Sequence, residues 1–276
     1  MAERREESRP RAVYFYGTCL VDLFFPAAGM AGIELLRREG LEVVFPQGQT
    51  CCGQPPFNCG HSAAALAVAR AQIALFPQPW PVVVPSGSCA AMMKRHYPEL
   101  FAGEPDHPAA EAFAARVYEL TQFLVGVLGV QLDDKSQRSQ RSKASQLGQR
   151  EQRGQRGQGG QPVRVTWHSS CHALRELGVR EEPLALLGQL ANVELAPLAR
   201  ERECCGFGGT FSIRFPEISA AMVADKAADV TATGASELLS GDCGCLLNIA
   251  GHLARQGSPV RARHIAEFLL ERTGGD

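Results

Sequence analysis

Short runs of apolar residues alternate along this chain with longer segments in which apolar residues recur at helical spacing. Two alanine-rich segments, residues 61–76 and 218–233, have apolar residues three and four positions apart, which predicts helices. Strands that alternate with helices predict βαβ units and a parallel sheet. The apolar runs that predict strands lie at residues 13–19, 42–46, 81–89, 163–171 and 192–195, and residues 116–130 and 263–270 each predict a short strand that runs into a helix.

This pattern occurs twice, and cysteines mark the corresponding positions. A first cysteine, an adjacent pair followed by glycine, and a last cysteine recur at offsets of 152, 153 and 156 residues. Such small drifts in offset are typical of loop insertions in a duplicated unit. We therefore predict an α/β fold with duplicated βαβ-type halves, at residues 11–132 and 163–273, each with a small mainly parallel sheet. A pseudo-two-fold axis should relate the halves.

Two segments outside the halves have the composition of disordered chain. We expect residues 1–10 to be a disordered N-terminus. Residues 133–162 are rich in Gln, Ser, Arg and Gly, and Leu147 is their only large apolar side chain. Such a segment buries too little surface to offset its conformational entropy, which predicts a linker. Its seven basic residues against three acidic ones could serve an RNA-binding arm, but no aromatic residue is present for base stacking, and we favour a tether.

The bulk composition narrows the class of protein. Of the 276 residues, 45% are hydrophobic, and the apolar runs are shorter than a bilayer span, so no transmembrane segment is expected. The charged N-terminus lacks the apolar centre of a secretory signal. A net charge of −1 gives no reason to expect nucleic acid as a partner. We expect a cytoplasmic protein, where clustered cysteines are more often metal ligands than disulfides.

The repeated cysteines lie where parallel strands end, which is where ligands gather in such sheets. Iron–sulfur clusters need soft thiolates that converge on one point, usually four per cluster. Four thiolates also suit zinc, so a zinc-binding structural protein is an alternative. A thiol–disulfide enzyme would leave half of these cysteines without a role. The two predicted ligand sets are Cys19, Cys51, Cys52 and Cys89 in the first half, and Cys171, Cys204, Cys205 and Cys245 in the second.

Three stretches of sequence carry a resemblance to a known family. The chain resembles proteins with the cysteine-rich CCG domain, found in the B subunit of heterodisulfide reductase and in the iron–sulfur subunit of glycolate oxidase. The stretches narrow the resemblance to the lactate utilisation protein A family, whose members have two repeats. They are CCGQPPF at residues 51–57, PSGSCAAM at residues 85–92 and CCGFGGTFS at residues 204–212.

The resemblance implies a function for the whole chain. It implies that the eight cysteines bind iron–sulfur clusters, and that the protein transfers electrons during oxidation of L-lactate to pyruvate. It also implies sister subunits, one of which carries ferredoxin-type clusters, so that this chain is a subunit of an iron–sulfur oxidoreductase rather than a complete enzyme. Because the substrate assignment depends on resemblance, another 2-hydroxy acid such as glycolate stays open.

The chain departs from the fullest form of the family motif, which ends in Cys-x-x-Cys. Ser86 and Asp242 replace the first of those cysteines. The departure counts against a five-thiolate cluster and favours one [4Fe–4S] cluster per half. Asp242 could supply an oxygen ligand in the second half, where zinc is the alternative metal.

Four further residues lie close to the cysteine motifs. We expect His168 to make only loop hydrogen bonds. His172 could instead donate a hydrogen bond to a cluster sulfur or accept a proton, and with Asp242 it is our candidate for direct chemistry. Cys59 and Cys243 fall outside the repeated set and are expected to be buried or free thiols, although Cys243 is close enough to Cys245 to compete as a ligand.

Overall fold

The computed structural model describes residues 9–132 and 162–274 of the chain. The predictions made for residues 1–8 and for residues 133–161 lie outside the described residues. Each predicted half therefore has its own described range.

The first half contains a four-stranded sheet in which all strands are parallel, in the spatial order β2-β1-β3-β4. The inner strand at Ala12–Phe15 carries small and aromatic apolar side chains and is buried along its whole length, as expected for a sheet covered on both faces. The strands are β1 (Ala12–Phe15), β2 (Glu42–Val44), β3 (Val82–Val84) and β4 (Val117–Glu119).

The second half repeats this topology with its own sheet, again parallel, in the order β6-β5-β7-β8. The equivalence of the two strand orders confirms the predicted α/β fold with duplicated βαβ-type halves. The strands are β5 (Val163–His168), β6 (Val193–Leu195), β7 (Glu237–Ser240) and β8 (Arg261–His264).

Helices connect the strands in both halves. The first half has α1 (Cys19–Phe24), α2 (Pro26–Arg38), α3 (Gln54–Asn58), α4 (Ser62–Ala74), α5 (Gly87–Ala91), α6 (Tyr97–Leu100), α7 (His107–Ala115) and α8 (Leu120–Gln122). The second has α9 (Glu181–Gly188), α10 (Thr210–Arg214), α11 (Pro216–Ala232), α12 (Cys243–Arg255) and α13 (Ile265–Arg272). Wider π-helical turns occur at Met92–His96, Phe123–Val127 and Ala173–Leu177.

The two alanine-rich segments form α4 and α11, as their spacing predicts. Helix α11 begins at Pro216, whose fixed backbone angle suits the first helical position. Each of these helices directly follows a Cys-Cys-Gly loop and a short helix, so the same local arrangement is built twice.

A core shared by both halves joins the two sheets. It contains Phe15 from β1 and Trp167 from β5, with side chains from α2, α9 and α13. Helix α2 packs on α13, and α9 packs on α8 and on the turn that follows α8, so each half contributes equivalent helices to the interface. The contact between α2 and α13 is equivalent to that between α9 and α8 with the two halves interchanged, which is the relation that a pseudo-two-fold axis produces. Each half also has a separate core, and both of these cores include cysteines.

Along the described ranges, none of the helices combines the length and the apolar composition that crossing a membrane requires.

Candidate metal centres

The first predicted set of cysteines converges at the carboxyl ends of β1 and β3. Cys19 begins α1, and Cys89 lies in α5, directly after β3. The thiols of Cys19 and Cys52 have the largest effects on the pKa of Cys51, and the thiols of Cys51 and Cys89 on that of Cys52, so the four side chains interact with one another. The structure therefore brings all four predicted side chains into one connected group.

The protonation of these thiols is uneven. The neighbouring thiols of Cys19 and Cys52 lower the pKa of Cys51 to about 3. The interaction with Cys51 raises the pKa of Cys19, and burial adds to this effect. Thiolates that lie close together repel one another, and a bound cation removes this repulsion. A group of interacting thiols is therefore expected to bind a cation.

Polar side chains fix the loop that carries the first cysteine pair. The Gln49 side chain accepts from the Gly17 amide at 2.9 Å and donates to the Phe15 carbonyl at 3.0 Å, which ties the loop to the end of β1. The Tyr16 hydroxyl donates to the Thr50 carbonyl at 2.6 Å. The loop is thus held on the strand that delivers Cys19.

The second predicted set converges in the same way in the second half. The neighbouring thiols of Cys171 and Cys205 lower the pKa of Cys204 to about 2. The Cys205 thiol also interacts with the thiol of Cys245, which raises the pKa of Cys205 and lies in the first turn of α12. The structure therefore connects these four thiols as it connects the first four.

The backbone of each cysteine pair is also held in place. The Cys205 carbonyl accepts from the Asn248 side chain at 2.9 Å. In the first half the Cys52 carbonyl accepts from the Tyr97 hydroxyl, also at 2.9 Å. Different side chains thus fix the same carbonyl in the two halves.

The glycine after each cysteine pair has a left-handed backbone conformation. Its φ angle is 84° at Gly53 and 83° at Gly206. A Cβ atom at Gly206 would lie 2.7 Å from the Ser219 carbonyl oxygen, so the loop also packs too closely on α11 to admit a side chain. Glycine is required at this turn on both grounds.

Asp242, which replaces a cysteine of the family motif, has its carboxylate occupied by hydrogen bonds. One oxygen accepts from the Gly244 and Cys245 amides and caps α12. The other accepts from the first half, at 2.8 Å from the Ser88 amide and 3.2 Å from the Ser86 hydroxyl. These bonds give Asp242 a role in joining the two halves. Ligation by Asp242 stays a prediction.

His168 differs from our expectation. Its side chain is fully buried at the end of β5, and neither ring nitrogen has a hydrogen-bond partner among the described residues. The prediction of loop hydrogen bonds was therefore wrong. One ring nitrogen and the sulfur atoms of Cys205 and Cys245 all lie within 4.8 Å of one another. Burial, helped by the charge of Lys226, lowers the pKa of His168 to about 4, so the imidazole is neutral at physiological pH.

The duplication contains the signal that could have revealed His168. It lies three residues before Cys171, and Tyr16 lies three residues before Cys19. The Tyr16 hydroxyl donates to the Thr50 carbonyl in the loop that carries the first cysteine pair, whereas His168 has no partner among the residues that the structure describes. A comparison of the two halves at this position would have marked His168 as the residue that changed.

His172, the histidine that we favoured from sequence, lies at the rim of the second centre. Its Nδ1 atom is 3.6 Å from the Cys171 sulfur, and its Nε2 atom is 3.7 Å from a Glu176 carboxylate oxygen. Its side chain is 25% exposed, so a proton could reach it from solvent. A role for His172 in direct chemistry stays a prediction.

The two cysteines outside the repeated sets have different surroundings. Cys243 is fully buried, and burial raises its pKa, so it is held as a neutral thiol. Cys59 is half-buried, and its sulfur lies 3.3 Å from the Thr210 hydroxyl of the second half. Within the described ranges, neither thiol shares a hydrogen bond with the two connected groups of four.

The donor atoms fit a soft metal. Each centre offers four thiols that are buried or half-buried, and at each centre one thiol already has a strongly lowered pKa. Thiolates of this kind bind iron–sulfur clusters and zinc in preference to magnesium or calcium. An imidazole beside the second set is compatible with either metal.

Comparison with known proteins identifies the class of protein. Residues 13–94 and 165–250 each match the family described as CCG, a cysteine-rich domain, and these segments contain both groups of four cysteines. The chain is thus a cysteine-rich protein with two CCG domains.

Full-length relatives make the assignment narrower. Lactate utilization protein A of Geobacillus kaustophilus (strain HTA426) is 44% identical over 261 residues, which cover 94% of this chain and 99% of that protein. The protein of the same name from Shouchella clausii (strain KSM-K16) is 43% identical over 258 residues, 93% of this chain and 98% of the relative. The chain belongs to the lactate utilization protein A family.

A solved structure supports the fold alone. A crystal structure of a hypothetical protein from Helicobacter pylori superposes with a TM-score of 0.60 at 10% sequence identity. The match covers 97% of this chain and 50% of the other, so this chain corresponds to about half of that protein.

Proposed function

We propose that this chain carries one iron–sulfur cluster, of the [4Fe–4S] type, at each of its two centres, and that it transfers single electrons as a subunit of a complex that oxidises L-lactate to pyruvate. The observation that carries this proposal is the convergence of two sets of four thiols at equivalent strand ends. A bound cluster would accept and release one electron at a time.

The placement of the thiols suits electron transfer through the chain. In each set, two cysteines are buried and two are half-buried. Each centre therefore has one side in the protein core, where water is excluded, and one side close to the surface, where an electron can arrive from another protein. The more accessible cysteines are Cys19 and Cys51 in the first half, and Cys171 and Cys204 in the second.

The relatives support the physiological role. They are named for lactate utilization, and their similarity extends over nearly the whole chain. L-lactate is therefore the substrate that we propose for the complex, and glycolate or another small 2-hydroxy acid is the alternative. If a proton acceptor on this chain takes part, His172 at the rim of the second centre is placed for it, with Asp242 as the second candidate.

Exposed apolar side chains beside both centres support a role within a complex. Leu23 and Phe24, in the helix that begins at Cys19, are 70% and 58% exposed. Ile213 and Ile218, which follow the second cysteine pair, are 80% and 54% exposed. Large apolar side chains grouped next to a functional site commonly mark a protein interface. We propose that sister subunits, including one with ferredoxin-type clusters, bind here.

The compartment that we propose is the cytoplasm. All ten cysteines are free thiols, although the thiols within each set of four interact with one another, and a reducing environment preserves this state.

One observation favours zinc as a second candidate at the second centre. The ligand atoms of His168, Cys205 and Cys245 lie within 4.8 Å of one another. A single tetrahedral ion with metal–ligand distances of about 2.0–2.3 Å separates its ligand atoms by roughly 3.3–3.8 Å. The chain would then have a structural ion in the second half and a cluster only in the first.

Metal analysis of the purified protein tests the proposal. Protein purified without oxygen should be brown, should absorb broadly near about 400 nm, and should contain iron and acid-labile sulfide. Cys52→Ser should lose the iron of the first half only, and Cys205→Ser that of the second half only. Cys59→Ser is the matched control and should keep both. Colourless protein with stoichiometric zinc and no sulfide would refute the cluster assignment.

Growth tests address the substrate. A host strain that lacks this chain should fail to grow on L-lactate as carbon source and should still grow on pyruvate. The wild-type chain should restore growth, and Cys52→Ser should restore it poorly. If the strain that lacks this chain grows normally on L-lactate but poorly on glycolate, glycolate is the substrate of the complex.

A further inference from the structure

We propose that His168 binds the metal of the second centre through a ring nitrogen, so that imidazole and thiolate hold this centre while thiolate alone holds the first. The inference deepens the proposed function, since it depends on a metal being bound at the second centre.

The first argument is the isolation of the imidazole. The side chain of His168 is 0% exposed, and both ring nitrogens lack a hydrogen-bond partner in the described parts of the chain. Buried polar groups without a partner are rare in folded proteins because desolvation is then uncompensated. A histidine in such a place is expected to have a partner that the polypeptide does not provide.

The second argument is direction. One ring nitrogen lies within 4.8 Å of the sulfur atoms of both Cys205 and Cys245. These two sulfurs belong to the connected group of four thiols. The imidazole is thus directed at the point where the predicted ligands converge, and small side-chain movements would bring it to a ligand distance.

The third argument is that the lysine and the carboxylates nearest to His168 are all engaged elsewhere. The Lys226 ammonium donates to the Arg200 carbonyl. The Glu201 carboxylate accepts from the Ser169 hydroxyl at 2.8 Å and from Arg180. The Asp242 carboxylate accepts from backbone amides of both halves, from the Ser86 hydroxyl of the first half and from the Ser170 hydroxyl of the second. None of these groups competes with a metal for the imidazole.

The fourth argument comes from the duplication. At the position of His168 the first half has Tyr16, whose hydroxyl is already bonded to the Thr50 carbonyl at 2.6 Å. The two halves therefore differ at this position, which lies three residues before the first cysteine of each half. In the second half, where Asp242 stands in place of a motif cysteine and is bound to the other half, His168 provides the additional donor.

Nitrogen-sensitive EPR spectroscopy tests the inference on protein that contains a cluster only in the second half. Reduced Cys52→Ser protein, labelled with ¹⁵N in its histidine side chains, should show a strong ¹⁵N hyperfine coupling from a directly bound nitrogen. The coupling should be absent when His168→Tyr, which copies the first half, is added. Tyr16→Phe is the matched control and should leave the coupling unchanged.

Each outcome has a distinct meaning. A cluster signal from Cys52→Ser without strong histidine coupling would overturn the inference, and so would a coupling that disappears in His172→Gln and persists in His168→Tyr. The labelled protein with His168 intact gives an answer even if His168→Tyr fails to fold. If the protein contains zinc and no sulfide, the iron–sulfur function fails separately. Cobalt substitution then tests His168, because the visible bands of the cobalt protein should change in His168→Tyr and stay unchanged in Tyr16→Phe.

Discussion

At the scale of single residues, the glycine that follows each cysteine pair allows the left-handed turn that directs both thiols of the pair toward the metal centre. Gly206 has a φ angle of 83°, and an alanine Cβ atom there would lie 2.7 Å from the Ser219 carbonyl oxygen. Gly53 has nearly the same φ angle, and the corresponding distance, to the Ala65 carbonyl oxygen, is 3.3 Å. The second loop is therefore the more tightly packed of the two.

We expect Gly206→Ala to be markedly destabilising. The left-handed conformation costs an alanine about 1–2 kcal/mol, and the overlap with α11 adds roughly 1–3 kcal/mol. Gly234→Ala is the matched control, because Gly234 has a φ angle of 66° and no atom within 4 Å of the added methyl group among the described residues. Urea unfolding followed by circular dichroism measures both. Equal losses of unfolding free energy would show that the close approach to Ser219 has no energetic effect.

At the scale of secondary-structure elements, the helix that follows the last strand of each half begins at a buried titratable residue. Glu119 caps α8, and its carboxylate accepts from the amides of Thr121 and Gln122 and from the Thr121 hydroxyl. His264 caps α13 through Nδ1, which accepts from the Ala266 amide. The same capping position is thus filled by a carboxylate in one half and an imidazole in the other, and the two should respond to pH in opposite directions.

Glu119→Gln should change the pH dependence of stability. Burial raises the pKa of Glu119 from its ordinary value of 4.5 to about 7, against the effect of its hydrogen bonds. Between these values the folded chain holds a proton that the unfolded chain has released, so the contribution of Glu119 to stability falls as pH rises, by up to about 3 kcal/mol. The uncharged glutamine avoids this loss. The free energy of unfolding of Glu119→Gln relative to wild type should therefore rise from pH 5 to pH 8.

Denaturant unfolding at both pH values makes the comparison. A difference between Glu119→Gln and wild type that stays constant from pH 5 to pH 8 would contradict the raised pKa. His264 gives a contrasting case, since burial lowers its pKa to about 4. Its contribution is present above the unfolded pKa of about 6.5 and is lost as pH falls toward 4.

The element scale is also where sequence patterns were most informative. The apolar runs and the alanine-rich segments predicted the strands and the two long helices that follow the cysteine pairs, because burial on a sheet and on a helix face leaves different periodicities. The pattern gave no indication of the π-helical turns, such as the one at Met92–His96. Those turns depend on how the helix packs on its neighbours.

At the scale of the whole molecule, a polar network at the cysteine-bearing ends of the sheets joins the two halves. The Gly87 amide donates to the Gly241 carbonyl at 3.2 Å, and the His264 ring donates to the Pro85 carbonyl at 3.1 Å. The Asp242 carboxylate belongs to the same network through its hydrogen bonds to the Ser88 amide and the Ser86 hydroxyl of the first half. The network adds directional contacts to the apolar core between the sheets.

Asp242→Ala should lower the free energy of unfolding by about 2–4 kcal/mol, since it removes a helix cap and leaves the Ser88 amide without this acceptor. Asp242→Asn keeps one carbonyl oxygen and should cost less. Ser86→Ala, which removes one hydroxyl donor, serves as the matched control. Urea unfolding and iron analysis are measured together. Loss of second-centre iron in Asp242→Asn without loss of stability would identify Asp242 as a ligand rather than as a connection between halves.

Replacement of the segment between the halves gives a further prediction. The Leu132 amide donates to Gln189 at 2.7 Å, and the Val163 amide donates to the Asn192 carbonyl at 2.8 Å, so both ends of the segment are anchored within three residues of each other. A Gly/Ser linker of about 10 residues is long enough to connect two points that are anchored to residues only three positions apart in sequence. With residues 133–161 replaced in this way, iron content should stay unchanged and stability should change by about 1 kcal/mol or less. Loss of iron from both centres would show that the segment does more than connect.

The sequence by itself determined the duplicated α/β fold and the family, since periodicity, the spacing of Cys51, Cys52 and their equivalents, and the glycine after each pair are local properties of the chain. It also grouped the eight cysteines that the structure brings together. Only the tertiary structure decided the surroundings of His168 and Asp242. Whether a buried polar side chain has a partner depends on residues far away in sequence, such as Cys245 for His168 and Ser88 for Asp242.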